Sequence, residues 1–135
     1  MKREPVWLTR LMVDAMHQDQ LLEHGGLPGV RDENALDSAL ARPRNRWAYQ
    51  PKSDLAAPAA ACGYGLATSH PFNDGNKRIA FAAMYTFLAL NGWEIEAEEP
   101  EVVAQMLDLA RAKLSEEGLA AWLREHFAAL DQASP

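Results

Sequence analysis

Apolar residues recur at helical spacing through most of the chain, and short polar turns separate the periodic stretches. The first stretch follows Thr9, which can cap a helix, and ends at Gly25. The second follows Asp32 and is expected to stop before Pro43, because the residue before a proline disfavours the helical conformation. Residues 42–54 contain two prolines and no helical period, and this pattern predicts a loop.

The middle of the chain predicts two buried helices on either side of a polar segment. Asp54 precedes a run of small residues that would let neighbouring backbones approach closely, with Pro58 tolerated in the first turn. A second apolar run at helical spacing begins after residue 76 and ends at Asn91 and Gly92. The next segment, residues 93–98, alternates and predicts an edge strand or an extended stretch.

Two further helices complete an all-α bundle of about six helices. Pro100 can begin the fifth, and the last begins near Ser115. Its apolar stripe consists of Leu119, Trp122, Leu123 and Phe127. We therefore expect a single domain over residues 1–131 and a disordered tail over residues 132–135.

Charge limits the kinds of partner that the chain can have. It has 13 basic and 19 acidic residues among 135, a net charge of −6, so it lacks the general basic surface that captures nucleic acid. Arg42, Arg44 and Arg46 form a basic cluster that would suit nucleic acid, but the overall charge favours reading it as the base of a flap or the edge of a phosphate site. We expect no direct nucleic-acid partner.

The chain shows no secretory signal pattern and no apolar run long enough to span a bilayer, so we expect a cytoplasmic protein without a membrane partner. Its single cysteine, Cys62, lies among alanines and glycine with no neighbouring cation. That setting favours a small buried thiol over a nucleophile.

The segment HPFNDGNKR at residues 70–78 lies between the two buried helices. The free backbone N–H groups at the start of the second helix would form an anion site there. Lys77 and Arg78 place cations in its first turn, which the helix dipole disfavours unless an anion binds nearby. Gly75 lets the backbone turn, and Asn76 can satisfy or present polar groups at the cap.

The same segment carries groups for catalysis. Asp74 supplies an oxygen ligand suited to Mg²⁺, and His70 has the pKa range needed to accept a proton from a hydroxyl. Phe72 would be the apolar anchor that holds the loop on the core. Together these residues predict phosphoryl or nucleotidyl transfer from a nucleotide to a hydroxyl group.

HPFNDGNKR resembles the signature of the Fic/Doc family, and its Asn-Lys-Arg form is similar to the Doc toxins of bacterial toxin–antitoxin systems. HGGLPGVRDENALDSAL at residues 24–40 and FLALNGW at residues 87–93 resemble further Doc segments. The resemblance thus extends over nearly the whole chain. It implies a Fic/Doc helical bundle with a flap loop and an active-site loop.

The resemblance also implies roles for individual residues. His70 would be the general base, Asp74 the Mg²⁺ ligand, and the loop amides with Asn76 and Arg78 the phosphate-binding groups. Gly75 and Lys77 belong to the same nucleotide site. The flap that aligns the target as an added strand would include Trp47, Ala48, Tyr49 and Gln50.

For the Doc toxins the implied reaction is transfer of the γ-phosphate of ATP to a Ser or Thr hydroxyl of translation elongation factor Tu. The implied partner is an antitoxin whose C-terminal segment blocks the toxin. We expect that segment in an apolar groove near the flap and first helix, where Trp7, Leu8 and Trp47 would be exposed.

Two departures bear on the reaction. Family members that transfer AMP usually carry Gly where this chain has Lys77, and a second Arg where it has Phe81. Phosphate transfer is therefore the first hypothesis. AMP transfer by the same site is the alternative, and a catalytically silent module that binds a partner is a third.

Overall fold

The computed structural model describes residues 4–49 and 54–130, and these form six helices and one two-stranded antiparallel sheet. The predicted all-α character is confirmed apart from this small sheet. None of the helices in the described ranges is long and apolar enough to span a bilayer. In chain order the elements are α1 (Arg10–His24), α2 (Glu33–Tyr49), α3 (Ala56–Ser69), α4 (Asn76–Leu90), β1 (Trp93–Ile95), α5 (Glu99–Ala110), α6 (Glu116–Glu125) and β2 (Phe127–Ala129).

Side-chain caps begin three of the helices at the expected places. Thr9 Oγ1 accepts a hydrogen bond from the Met12 amide at 3.1 Å, and α1 starts at the next residue. Asp32 Oδ1 accepts from the Ala35 amide at 3.0 Å at the start of α2. Ser115 caps α6 in the same way. Each cap satisfies an amide that has no partner within the helix, and removing one typically costs about 1 kcal/mol.

Helix α3 is the buried centre of the molecule, as its small residues predict. Eleven of its 14 residues are buried. At Gly65 a methyl group would lie only 3.3 Å from the Ala39 Cα, so the missing side chain allows α2 to pack closely on α3. Helix α4 packs on α3 through buried residues that include Ile79, Met84 and Phe87. This packing fixes the relative positions of α3 and α4, and the segment that joins them carries residues 70–78.

The predicted stop before Pro43 is wrong, because α2 continues through this residue to Tyr49. A proline inside a helix removes one backbone hydrogen bond, but Pro43 is buried and lines a small apolar cavity with Trp7 and Phe87, so its ring is removed from water. Beyond it, Arg46 forms an ion pair with Glu116 of α6 at 3.3 Å. Tertiary contacts thus sustain the helix where the local sequence predicts a loop.

The predicted edge strand is confirmed, and its partner corrects another expectation. β1 pairs antiparallel with β2, with Ile95 opposite Phe127. Phe127 therefore does not belong to the apolar stripe of the last helix, which ends at Glu125. Its ring stacks on Trp93 at 5.7 Å between centroids, and this cross-strand aromatic pair favours the extended conformation over a further helical turn.

Cys62 is buried in α3, and burial raises the pKa of its thiol from 9.0 to about 12. A raised acid pKa stabilises the fold below pH 9, and this stability is lost as pH rises from about 9 towards 12. We expect the contribution of this thiol to the free energy of unfolding to fall by about 1.4 kcal/mol between pH 8 and pH 10. Urea denaturation of the parent and Cys62→Ala at both pH values measures it. Equal pH dependence in the two proteins would contradict this assignment.

Candidate active site

Residues 70–78 join the end of α3 to the start of α4 and turn the chain at two left-handed residues. His70 has φ 49° and Gly75 has φ 76°. The first backbone hydrogen bond of α4 runs from the Ile79 amide to the Gly75 carbonyl at 2.9 Å. Among the described residues, the amides of the three preceding positions, residues 76–78, have no acceptor. The start of α4 therefore has the free amides that bind an anion.

The main chain around His70 is held by Arg31, which sequence reasoning did not identify. Arg31 donates from Nε to the His70 carbonyl at 2.7 Å and from Nη2 to the Ser69 carbonyl at 2.9 Å. The Arg31 amide also donates to the Pro71 carbonyl at 2.7 Å. These bonds satisfy carbonyls at the end of α3 and hold His70 in its left-handed conformation while the residue stays exposed.

The Asp74 carboxylate is exposed and organises the loop around it. Its Oδ1 accepts from the Gly75 amide at 2.9 Å and its Oδ2 from the Leu27 amide at 3.2 Å. Each oxygen keeps a lone pair for another ligand. In the described ranges, no three His, Cys, Asp or Glu side chains group to hold a metal. One carboxylate fits Mg²⁺ bound together with phosphate oxygens, since Mg²⁺ usually takes few protein ligands.

Phe72 is 2% exposed and contacts both α1 and the loop between α1 and α2. Its backbone forms an isolated antiparallel bridge with Val30, and its ring stacks on His17 of α1 at 3.9 Å between centroids. His17 is a second residue that sequence reasoning missed. Its position one helical turn after the buried Val13 is a signal that could have placed it on the core face of α1.

The Asn76 side chain is engaged with the loop. Its Oδ1 accepts from the Phe72 amide and its Nδ2 donates to the Phe72 carbonyl, both at 3.0 Å. This reciprocal pair closes the loop across four residues. The Asn76 side chain thus maintains the shape of the loop, while its backbone amide is left free at the start of α4.

Lys77 and Arg78 are exposed and line a cavity of about 510 Å³ between α1, α4 and α5. Phe81, the residue found in place of the second family Arg, lines it one turn further along α4. The other lining residues are Gln20, His24, Ala82, Glu99, Val102, Val103, Met106 and Leu107. The cavity therefore has apolar walls and cations at the end next to the motif.

The predicted flap residues lie away from segment 70–78 in the chain, at the end of α2. Trp47, Ala48 and Tyr49 form the end of that helix, and Gln50 lies outside the described residues. Tyr49 is 88% exposed.

The sequence predicts exposed side chains at Trp7, Leu8 and Trp47. In the structure all three are half-buried, and Trp7 and Leu8 pack against the hydrophobic core. Trp7 stacks on Phe87 at 5.7 Å and meets Trp47 edge-on at 6.5 Å.

The basic cluster on α2 is largely paired within the molecule. Arg42 and Arg46 both form ion pairs with Glu116, and the Arg44 guanidinium lies over the Trp7 ring. These contacts link α2 to α6 and to the N-terminal segment. They give the cluster a structural role.

Residues 7–88 match the model of the Fic/DOC family, and the chain belongs to that family. It is 32% identical to the protein named "Protein kinase doc" of Escherichia phage P1 over 110 residues, which are 82% of this chain and 86% of that protein.

A second relative is "Toxin Doc" of Mycolicibacterium smegmatis, 43% identical over 75 residues. This match spans 55% of the chain and 58% of the relative. The resemblance to Doc toxins drawn from the motif is therefore confirmed.

Proposed function

We propose that this protein is the toxin of a toxin–antitoxin module and transfers the γ-phosphate of ATP to a Ser or Thr hydroxyl of a target protein. The observation that carries the proposal is the start of α4. There three free amides lie on the same short segment as an exposed histidine and an exposed carboxylate. The family resemblance names translation elongation factor Tu as the candidate target, whose modification would inhibit translation.

In the proposed reaction, the His70 imidazole accepts the proton of the target hydroxyl. The hydroxyl oxygen forms a bond to the γ-phosphorus, the bond from that phosphorus to the β–γ bridging oxygen breaks, and ADP leaves. The amides of residues 76–78 and the Arg78 guanidinium stabilise charge on the phosphoryl oxygens. Asp74 would hold Mg²⁺, which when bound neutralises charge on the nucleotide phosphates.

The target would approach along the segment that follows α2. We propose that the flap, residues 47–50, pairs with the target backbone as an added strand, which requires the last helical residues of α2 to unwind first. Main-chain pairing holds a hydroxyl in place with little demand on the target sequence. The exposed Tyr49 lies at the end of α2, where such a strand would begin.

The surface of this protein that best fits an antitoxin segment is not the one around the packed tryptophans near α2. The cavity between α1, α4 and α5 continues into an apolar groove along α1 and α4, lined by Met16, Phe81 and Tyr85. Val103 and Tyr85 on these surfaces are 50% and 40% exposed. An amphipathic helix could bury them, and in this groove it would also cover Lys77 and Arg78. Coverage of those two residues would block the phosphate site.

The proposal is tested with ATP labelled on the γ-phosphate or on the α-phosphate, in reactions that contain purified elongation factor Tu and Mg²⁺. We expect label only from γ-labelled ATP, and an intact mass of the target increased by one phosphate. Label only from α-labelled ATP, with a mass increase of one nucleotide, would establish AMP transfer. If neither labelled form of ATP labels the target while the protein still binds the antitoxin, the result would support the third hypothesis, a catalytically silent module that binds a partner.

A further inference from the structure

Among the described residues, His17 is the one polar residue whose side chain is buried, and it is 5% exposed. It lies on α1, and the proposed reaction does not use it. Its ring stacks on Phe72 with an interplanar angle of 17°, and its Nε2 lies 2.9 Å from the Asp74 carbonyl oxygen. A carbonyl oxygen only accepts, so Nε2 carries the hydrogen and donates it.

This hydrogen bond fixes the orientation of one peptide group. In a trans peptide the C=O and the N–H lie in one plane and point in opposite directions. Because His17 holds the Asp74 carbonyl on the core side, the N–H of the same peptide, that of Gly75, points away from the core. There it donates to Asp74 Oδ1 at 2.9 Å. The ring of His17 thus determines where the Gly75 amide and the Asp74 carboxylate lie.

Two hydrogen bonds hold this peptide: the bond from His17 to its carbonyl, and the bond from its own N–H to the Asp74 carboxylate. Gly75 has φ 76°, in the left-handed region, and has no Cβ to oppose rotation about the adjoining bonds. The atom nearest to the position of a Gly75 Cβ is His17 Nε2, at 3.7 Å. His17 is therefore the group packed against the peptide on that side. Without its donor, the peptide between Asp74 and Gly75 can rotate and carry the carboxylate with it.

We infer that His17 is a positioning residue for the phosphate-binding loop: it acts by holding the Asp74–Gly75 peptide and touches no reactant itself. Asp74 and the first turn of α4 belong to the proposed phosphate site, so this inference rests on the proposed function. It assigns the first helix a part in setting the geometry of a loop that begins more than forty residues after the helix ends.

Two substitutions separate the effect of the His17 hydrogen bond from the effect of its aromatic ring. His17→Phe keeps an aromatic ring against Phe72 and loses the donor, whereas His17→Gln keeps an N–H at the reach of Nε2 and loses the ring. Thermal unfolding and circular dichroism check that both variants fold. His17→Leu is a second variant without a donor.

The first readout is the ¹⁵N–¹H resonance of Gly75, recorded with and without Mg²⁺–ATP. We expect the Gly75 resonance of His17→Phe to shift away from its parent position and to lose its response to Mg²⁺–ATP, while His17→Gln keeps both. In the phosphotransfer assay, kcat of His17→Phe should fall about tenfold or more at saturating ATP, with His17→Gln within a few-fold of the parent.

A parent-like Gly75 resonance and kcat in His17→Phe would overturn the inference, as would equal loss in the Gln variant. In the parent itself, ¹⁵N spectra of the imidazole should show hydrogen on Nε2, and a His17 protonated only on Nδ1 would also overturn it. The Gly75 and imidazole spectra need no transfer activity. An inactive parent with the expected spectra would therefore count against the proposed function and leave the positioning of the peptide standing.

Discussion

Replacement of His70 by alanine should lower the rate of phosphate transfer by about 10²–10⁴, the usual loss when a general base is removed. The side chain is exposed, so the substitution creates no cavity in the core. The main-chain bonds to Arg31 involve the His70 and Ser69 carbonyls and do not need the imidazole. Single-turnover transfer from γ-labelled ATP measures the rate, and calorimetric titration of Mg²⁺–ATP should give an affinity close to that of the parent.

Thr68→Ala is a matched control two residues before His70. Thr68 is exposed on α3, and its hydroxyl donates to the Tyr64 carbonyl within the helix. This variant should keep the parent rate. If His70→Ala arrested growth and transferred phosphate as well as the parent, His70 would not be the base.

Lys77→Gly should lower phosphate transfer about tenfold and produce detectable AMP transfer, because in the proposed site the residue at this position would set which phosphate of the nucleotide faces His70. Lys77 is in the first turn of α4, beside the free amides, and its side chain lines the cavity with Arg78 and Phe81. Glycine removes the charge that would hold a terminal phosphate in the proposed site and opens space at the helix start. Parallel reactions with α-labelled and γ-labelled ATP give the ratio of the two products.

The matched control for this change is Lys77→Met, which keeps most of the side-chain length and removes only the charge. If charge alone sets the orientation, Met and Gly variants should behave alike; if volume matters as well, AMP transfer should rise only in the glycine variant. The new activity should stay weak, since Phe81 replaces the Arg found in family members that transfer AMP. Unchanged product ratios in both variants would show that Lys77 does not set the orientation.

Local signals in the sequence were sufficient to place much of the fold. Thr9, Asp32 and Ser115 act as caps because capping depends on residues within one turn of each other. The buried α3 follows from its run of small residues. The junction between α3 and α4 follows from the apolar stretches on both sides of residues 70–78. For these features neighbours in sequence are also neighbours in space.

Features decided by distant partners could not be predicted in this way. Helix α2 passes through Pro43, which is buried where α2 packs on α3 and lines a small cavity together with Trp7 and Phe87. Phe127 joins a strand because β1 pairs with it, with Ile95 opposite and the Trp93 ring stacked on its ring, and no pattern near residue 127 contains that information. In both cases tertiary packing outweighs the local preference of the backbone.

The same limit applies to the candidate site. The motif marks the residues that would face a nucleotide in the proposed function, but the groups that hold the motif are far from it in the chain. His17 is 57 residues from Asp74, and Arg31 is 39 residues from His70. The amide of Asn76 could be placed at the helix start from the sequence. Its side-chain pairing with Phe72 depends on the turn that the folded loop makes.

Pro43 also divides α2 into two parts of unequal local stability. Because proline has no N–H, the Ala39 carbonyl lacks its usual partner four residues later, and the backbone ladder is interrupted there. The residues beyond it depend on side-chain contacts such as that of Arg46 with Glu116. The end of α2 can therefore open by local unfolding at a lower free energy than the first part, while the core stays intact. In the proposed function, opening of that kind would lengthen the segment that pairs with a target, without any change in the packing of α3 and α4.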